Sequence, residues 1–158
     1  MTLAMRDVLI NNGRQARIDA LNAVGHELAT IVLAHGKGNK NALAWKIGQR
    51  LRQGYDAGEL SGGMMLVLQH LQCTIEIEAK RRFSLADLGE FMNLYDLFPD
   101  DRELLERTSF GVASALVRAL RNDPEQARRW LLESVEGKYS LSKLQALLGN
   151  GADTGPAG

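Results

Sequence analysis

The chain has 158 residues, 45% of them apolar but only 6% aromatic, and its 19 basic side chains balance 19 acidic ones. The single cysteine, Cys73, excludes an intrachain disulfide and a cysteine-based zinc site. No stretch approaches the roughly 18–20 uninterrupted apolar residues of a membrane span.

That length and apolar content predict one domain with one core built from Leu, Ile, Val, Ala and Met. Leucine-rich, aromatic-poor composition with three prolines favours an all-α fold, a single compact bundle of six to eight helices. Arg6 and Asp7 follow closely on the first methionine, with no apolar run behind them, so no signal peptide is expected. A lone thiol suits a reducing compartment, and the expected location is cytoplasmic, away from membranes. Charge is unevenly spread. Residues 1–82 carry 11 basic and 7 acidic groups, a net of +4, and residues 83–158 carry 8 and 12, a net of −4. A polyanion would therefore meet the first half.

In chain order, residues 1–13 read as an arm ending at the turn signal Asn11-Asn12-Gly13. From Arg14 to His35, apolar Ile18, Leu21, Val24, Leu28, Ile31 and Val32 recur at helical spacing. Gly25 weakens that helix and marks a bend or a close approach. His35 to Asn41 reads as a glycine- and asparagine-rich loop. Over 42–55, Leu43, Ala44, Ile47, Gly48, Leu51 and Tyr55 share one arc of a helix, opposite Lys46, Gln49, Arg50, Arg52 and Gln53.

Residues 64–82 carry one apolar stripe at Met64, Val67, Leu68, Leu71 and Ile75, and a second at Leu66, Cys73 and Ile77. A helix apolar on two sides is usually buried. The alternation Cys73 to Glu78 also fits a short strand, but no second strand exists to pair with it. Phe83-Ser84-Leu85-x-x-Leu88 and Tyr139-Ser140-Leu141-x-x-Leu144 share a pattern: an aromatic at N′, serine at the N-cap and an apolar residue at N4, a hydrophobic staple. Asp87 completes an approximate capping box behind Ser84. The first of these helices runs 84–97 and stops at Phe98-Pro99. Short helices follow at 101–107 and 109–121. Asp123-Pro124-x-Gln126 starts another, ending at Gly137. The last spans 140–148, within a helical domain of 14–148, and 149–158 reads as a disordered tail.

The strongest functional candidate is the basic section from His35 to Arg52. No carboxylate lies between Glu27 and Asp56, yet Lys37, Lys40, Lys46, Arg50 and Arg52 all do. Lys37 and Lys40 precede a helix N-terminus, where amides and the dipole favour an anion. Trp45 projects near Gln49 and Arg52, where an indole can stack on a base. Phosphate contacts from these cations would give salt-sensitive affinity for nucleic acid. The competing reading is a solvated face with Trp45 packed under a neighbour. Lys80, Arg81 and Arg82 form a second basic spot beside Ser84, or a charged helix end favoured by the dipole.

Other constellations carry less. Gly36-Lys37-Gly38-Asn39-Lys40 lacks the spacing and the Gly-Lys-Ser/Thr ending of a phosphate-binding loop. His26-Glu27 and His35 miss the His-Glu-x-x-His zinc spacing, and no metal or other cofactor is expected. Asp100, Asp101 and Glu103 complement a helix start, and Arg128 and Arg129 have Glu125 within helical reach. Ser142, Lys143 and Gln145 on the last helix fit a nucleic-acid groove or an ordinary surface. No nucleophile or acid–base pair stands at catalytic spacing, and no enzyme activity is expected.

Three segments then fall in order: Trp45-x-Ile47-Gly48-x-x-Leu51, Phe83-Ser84-Leu85-x-x-Leu88 running to Tyr95-x-x-Phe98-Pro99, and Asp123-Pro124-x-x-Ala127-Arg128-x-Trp130 running to Tyr139-Ser140-x-x-x-Leu144. Across residues 42–148 they resemble the helical N-terminal domain of bacterial PD-(D/E)XK nuclease-family proteins, a presumed DNA-binding part. The resemblance implies binding without cleavage, since 158 residues leave no room for the nuclease domain. In size, helicity and the basic stretch from Leu43 to Arg52, the chain is also similar to small helical subunits of CRISPR effector complexes. The expectation is a nucleic-acid-binding accessory protein, DNA or RNA, working as a subunit of a larger complex. The alternative is a protein–protein interaction module of mobile-element or phage type, whose two-sided helix 64–79 is covered by self-association.

Overall fold

The computed structural model describes residues 3–137 and 139–151, and every regular element among them is an α-helix. These are α1 (Leu3–His35), α2 (Lys40–Asp56), α3 (Met64–Ala79), α4 (Leu85–Leu97), α5 (Arg102–Glu106), α6 (Phe110–Leu120), α7 (Pro124–Val135) and α8 (Leu141–Gly151). The stretch Cys73 to Glu78, open between helix and strand in sequence, lies within α3.

Two ends differ from expectation. The arm of residues 1–13 is replaced by helix from Leu3 onward, which passes straight through Asn11-Asn12-Gly13. Asparagine and glycine cost at most about 1 kcal/mol each in a helix interior, and no proline is present to break the ladder. Gly13 keeps a negative φ and has open space around it. At the other end α8 continues to Gly151, so three residues assigned to the tail are helical. Residues 152–158 lie outside the described residues.

Helix starts follow the capping chemistry. Asp87 N–H donates to Ser84 Oγ at 2.9 Å while Ser84 N–H donates to Asp87 Oδ2 at 3.1 Å, a reciprocal capping box. Asp123 Oδ1 accepts from Gln126 N–H with Pro124 at N1. Ser109 and Ser140 cap α6 and α8 in the same way. Tyr139 lies against Trp130, ring centroids 5.3 Å apart, and Phe83 and Leu88 are both buried. Gly137, at φ +77°, follows the end of α7.

The all-α expectation holds, and the helices group into two compact units: residues 1–36 with 50–88, and residues 37–49 with 89–158. In the first, α1 lies along α3. Asn22 meets His70, Gly25 meets Thr74 and His26 meets Glu78. The paired numbers rise together, so the two helices run parallel. A Cβ at Gly25 would come within 2.8 Å of Thr74 Cγ2, so the glycine is the close approach anticipated from sequence. Val24, Leu28, Val32, Leu51, Leu68, Leu71 and Ile75 form this unit's core.

The second unit is built around the first turns of α2. Phe91, Leu94, Phe98, Leu105, Leu116, Trp130 and Leu144 are fully or almost fully buried here. Gly48 lets α2 approach the main chain of α4, because a Cβ there would collide with the carbonyl of Phe91. A carbonyl in a helix cannot turn aside as a side-chain tip can. Replacing Gly48 with alanine should therefore lower unfolding free energy by about 2–3 kcal/mol, the upper end of overpacking costs, measured by urea denaturation; an unchanged midpoint would contradict the packing described.

Candidate functional surfaces

The residues anticipated as one nucleic-acid surface fall in both units. Lys37, Lys40, Trp45 and Lys46 belong to the second, and Arg50, Arg52, Lys80, Arg81 and Arg82 to the first. α2 holds five of the nine, so its rotation about its own axis decides their exposure.

That rotation is set by polar side chains at the start of α2. Asn39 Oδ1 caps the helix by accepting from Ala42 N–H at 3.1 Å, and Asn39 Nδ2 donates to the Glu106 carbonyl at 3.0 Å. Asn41, almost wholly buried, donates from Nδ2 to the carbonyls of Leu105 (2.8 Å) and Thr108 (3.0 Å). Leu105 lies in the last turn of α5, where its carbonyl also accepts from Thr108 N–H at 3.2 Å, and Thr108 follows just past the helix. By composition both asparagines read as loop residues, and nothing in their spacing marks these partners.

The same rotation buries Trp45, which is only 8% exposed. Its indole N–H donates to the Phe98 carbonyl at 2.9 Å, and its ring meets Tyr95 edge to face at 5.3 Å. The Arg102 guanidinium lies 5.5 Å from the ring centroid. The base-stacking role assigned to Trp45 has no open ring face to act through. This residue takes the packed alternative.

Arg50 differs from expectation in a second way. Its side chain is 14% exposed, with Nε donating to Glu27 at 2.5 Å and the two Nη groups to Glu59 at 3.0 and 3.2 Å. Glu27, which opens the acid-free section, and Glu59, just beyond its far end at Asp56, both fold onto Arg50. A phosphate would have to displace both. Arg52 is half-buried and carries interactions of its own.

The remaining cations differ among themselves. Lys37 is exposed in the turn before α2, and Lys40 is exposed with Nζ 4.1 Å from the Phe110 ring centroid. Lys46 is half-buried. Lys80 ends α3 in the left-handed conformation (φ 57°), its N–H donating to the Glu76 carbonyl. Arg81 lies over Phe83 at 5.0 Å, and Arg82 is exposed.

An open groove of about 640 Å³ in the second unit is lined by Trp45, Pro99, Asp101, Arg102, Leu104 and Arg128, among others. There Arg128 pairs with Asp101 at 3.1 Å, in place of the Glu125 expected from helical spacing. Glu103 occupies the first turn of α5, as anticipated. In the first unit, α3 buries Val67, Leu68, Leu71 and Ile75 but leaves Leu66 70% and Ile77 69% exposed, with exposed Cys73 between them. The second apolar stripe thus faces solvent. The chain matches no protein-family model, no curated protein and no solved structure.

Glu27 offers a titration test of the ion pair. Its carboxyl is held below the usual value chiefly by the hydrogen bond from Arg50. A lowered carboxyl contributes stability above its unfolded value and loses it as pH falls through the lowered folded one. The stability difference between the native chain and Arg50→Met should therefore be present at pH 7 and shrink below about pH 4.3, the ordinary glutamate range. Urea titrations from pH 7 to pH 3 measure it, and a difference independent of pH would remove the pair from the account.

Proposed function

We propose that the chain is a protein–protein interaction module whose working surface is the outward side of α3. One observation carries this reading: Leu66 and Ile77, each about 70% exposed, with exposed Cys73 between them, in a helix whose opposite side is core. Leu66, Cys73 and Ile77 follow one another at seven and four residues, a helical stripe and not scattered surface residues. Met65 is also exposed near the start of α3. Covering a leucine and an isoleucine removes enough apolar surface to supply roughly 1.5–3 kcal/mol each. Burial of Trp45 and neutralisation of Arg50 take two central members from the competing surface.

A second reading keeps a polyanion contact in the second unit. Lys37, Lys40 and Lys46 stand within one short stretch and form no ion pair among the described residues. This is what supports nucleic-acid binding, without a stacking indole and in an electrostatic, salt-sensitive form.

Two measurements separate the readings. The double substitution Leu66→Glu with Ile77→Glu should leave the unfolding free energy within about 0.5 kcal/mol, as for other exposed positions, while abolishing association through α3. The chain should elute from heparin below ~0.15 M salt. Retention well above that, lost in a Lys37→Glu, Lys40→Glu, Lys46→Glu variant, would favour the second reading.

A further inference from the structure

Resting on that reading of α3, we propose that its outward side is covered by a second copy of this chain, packed antiparallel about a two-fold axis. The stripe is self-complementary. Leu66 and Ile77 stand equally far on either side of a point between Leu71 and Gln72. A two-fold axis through that level sets Leu66 of each copy against Ile77 of the other, with Cys73 beside the axis.

Area requires α1 to take part. A helix of 16 residues is about 24 Å long and about 10 Å wide, a footprint of roughly 240 Å². A stable interface needs about 800 Å² per partner, so an α3 seam alone falls short. α1 runs parallel to α3 and level with it, as the pairs Asn22–His70 (2.7 Å) and His26–Glu78 (2.5 Å) fix. Residues of α1 near Asn22 are therefore level with the axis. The helix-period side that carries Asn22 and His26 also carries Gln15, Asp19, Thr30 and Leu33, the last 62% exposed. This side of α1 adds the area that α3 lacks.

Coverage chooses the direction. A parallel two-fold pair with its axis along the α3 stripe carries the two α1 sides to opposite flanks, and one with its axis between the helices sets the apolar stripe on the polar side of α1. An axis across both helices, which reverses one copy, sets α3 on α3 and α1 on α1. It also brings Asp19 level with His26 of the second copy, because the two lie three or four residues to either side of the axis. Lys80 and Arg82 fall beyond the helix end, outside the seam.

The test uses the full chain and its only thiol. Light scattering across ~1–100 µM should give twice the chain mass, and a bis-maleimide with a linker of about 10 Å, near the 8–10 Å spacing of packed helices, should join two copies through Cys73. Leu66→Glu with Ile77→Glu should return the mass to that of one chain, prevent the cross-link and speed maleimide labelling of Cys73 at least tenfold, with unchanged circular dichroism. A monomer throughout, or a dimer that neither cross-links nor responds to the double substitution, overturns the proposal. In the monomer case, Cys73 labelling in extracts of producing cells separates the two levels. Protection in the extract alone means a different protein covers α3, which sinks the second copy and keeps the interaction reading. Equal labelling in extract and purified chain sinks both.

Discussion

The polar ties at the start of α2 decide what this surface can do. Asn39 and Asn41 donate into carbonyls at the end of α5, and the Trp45 indole donates into the carbonyl that precedes Pro99. The Leu105 and Phe98 carbonyls also accept main-chain N–H groups of the following turn, from Thr108 and Asp101, so these side-chain donors add to turns that are already closed. Together they fix the rotation of α2 more tightly than apolar burial does, because a hydrogen bond fails over a few tenths of an ångström while hydrophobic contact is not directional. With that rotation set, Gly48 must face Phe91. Of the basic residues of α2, Lys40 lies by the Phe110 ring within the second unit, and Arg50 pairs with Glu27 and Glu59 within the first.

The helix boundaries of the chain were largely legible in its sequence, while the second apolar stripe of α3, expected to be buried, faces solvent. Serine caps, the Asp123-Pro124 start and the stop before Pro99 are local signals, and local physics governs them. The failures share one cause. Asn11-Asn12-Gly13 is a turn signal only where a turn is otherwise favoured, and in α1 nothing interrupts the hydrogen-bond ladder. Asn41 is a loop residue by composition, yet its value depends on the carbonyls of Leu105 and Thr108, more than 60 positions away. Spacing cannot indicate such a partner.

The candidate site shows the same limit more sharply. Absence of carboxylates from Leu28 to Tyr55 suggested an open basic front. Charge pairing, however, is set by distance in space, and Arg50 meets Glu27 and Glu59, 23 and 9 positions away in sequence. Trp45 illustrates a related point: a large aromatic with a polar N–H is stable inside whenever one carbonyl is within reach. Its acceptor, the Phe98 carbonyl, is 53 positions away and leaves no mark in the spacing around Trp45.

The exposed stripe of α3 differs from an incidental apolar surface because the helix has no freedom to hide it. Thr74 is pressed into the space left by Gly25, and His70 and Glu78 are each tied to α1. Turning α3 to bury Leu66 and Ile77 would break those contacts and bring Leu71 and Ile75 out of the core in exchange. The unit therefore holds two apolar faces on one helix and can satisfy only one of them internally. A surface that folding cannot remove, on an element that folding holds rigid, loses little further freedom on association. Most of the gain from covering it would then appear as affinity, because the conformational cost of ordering that usually opposes binding has been met by the fold.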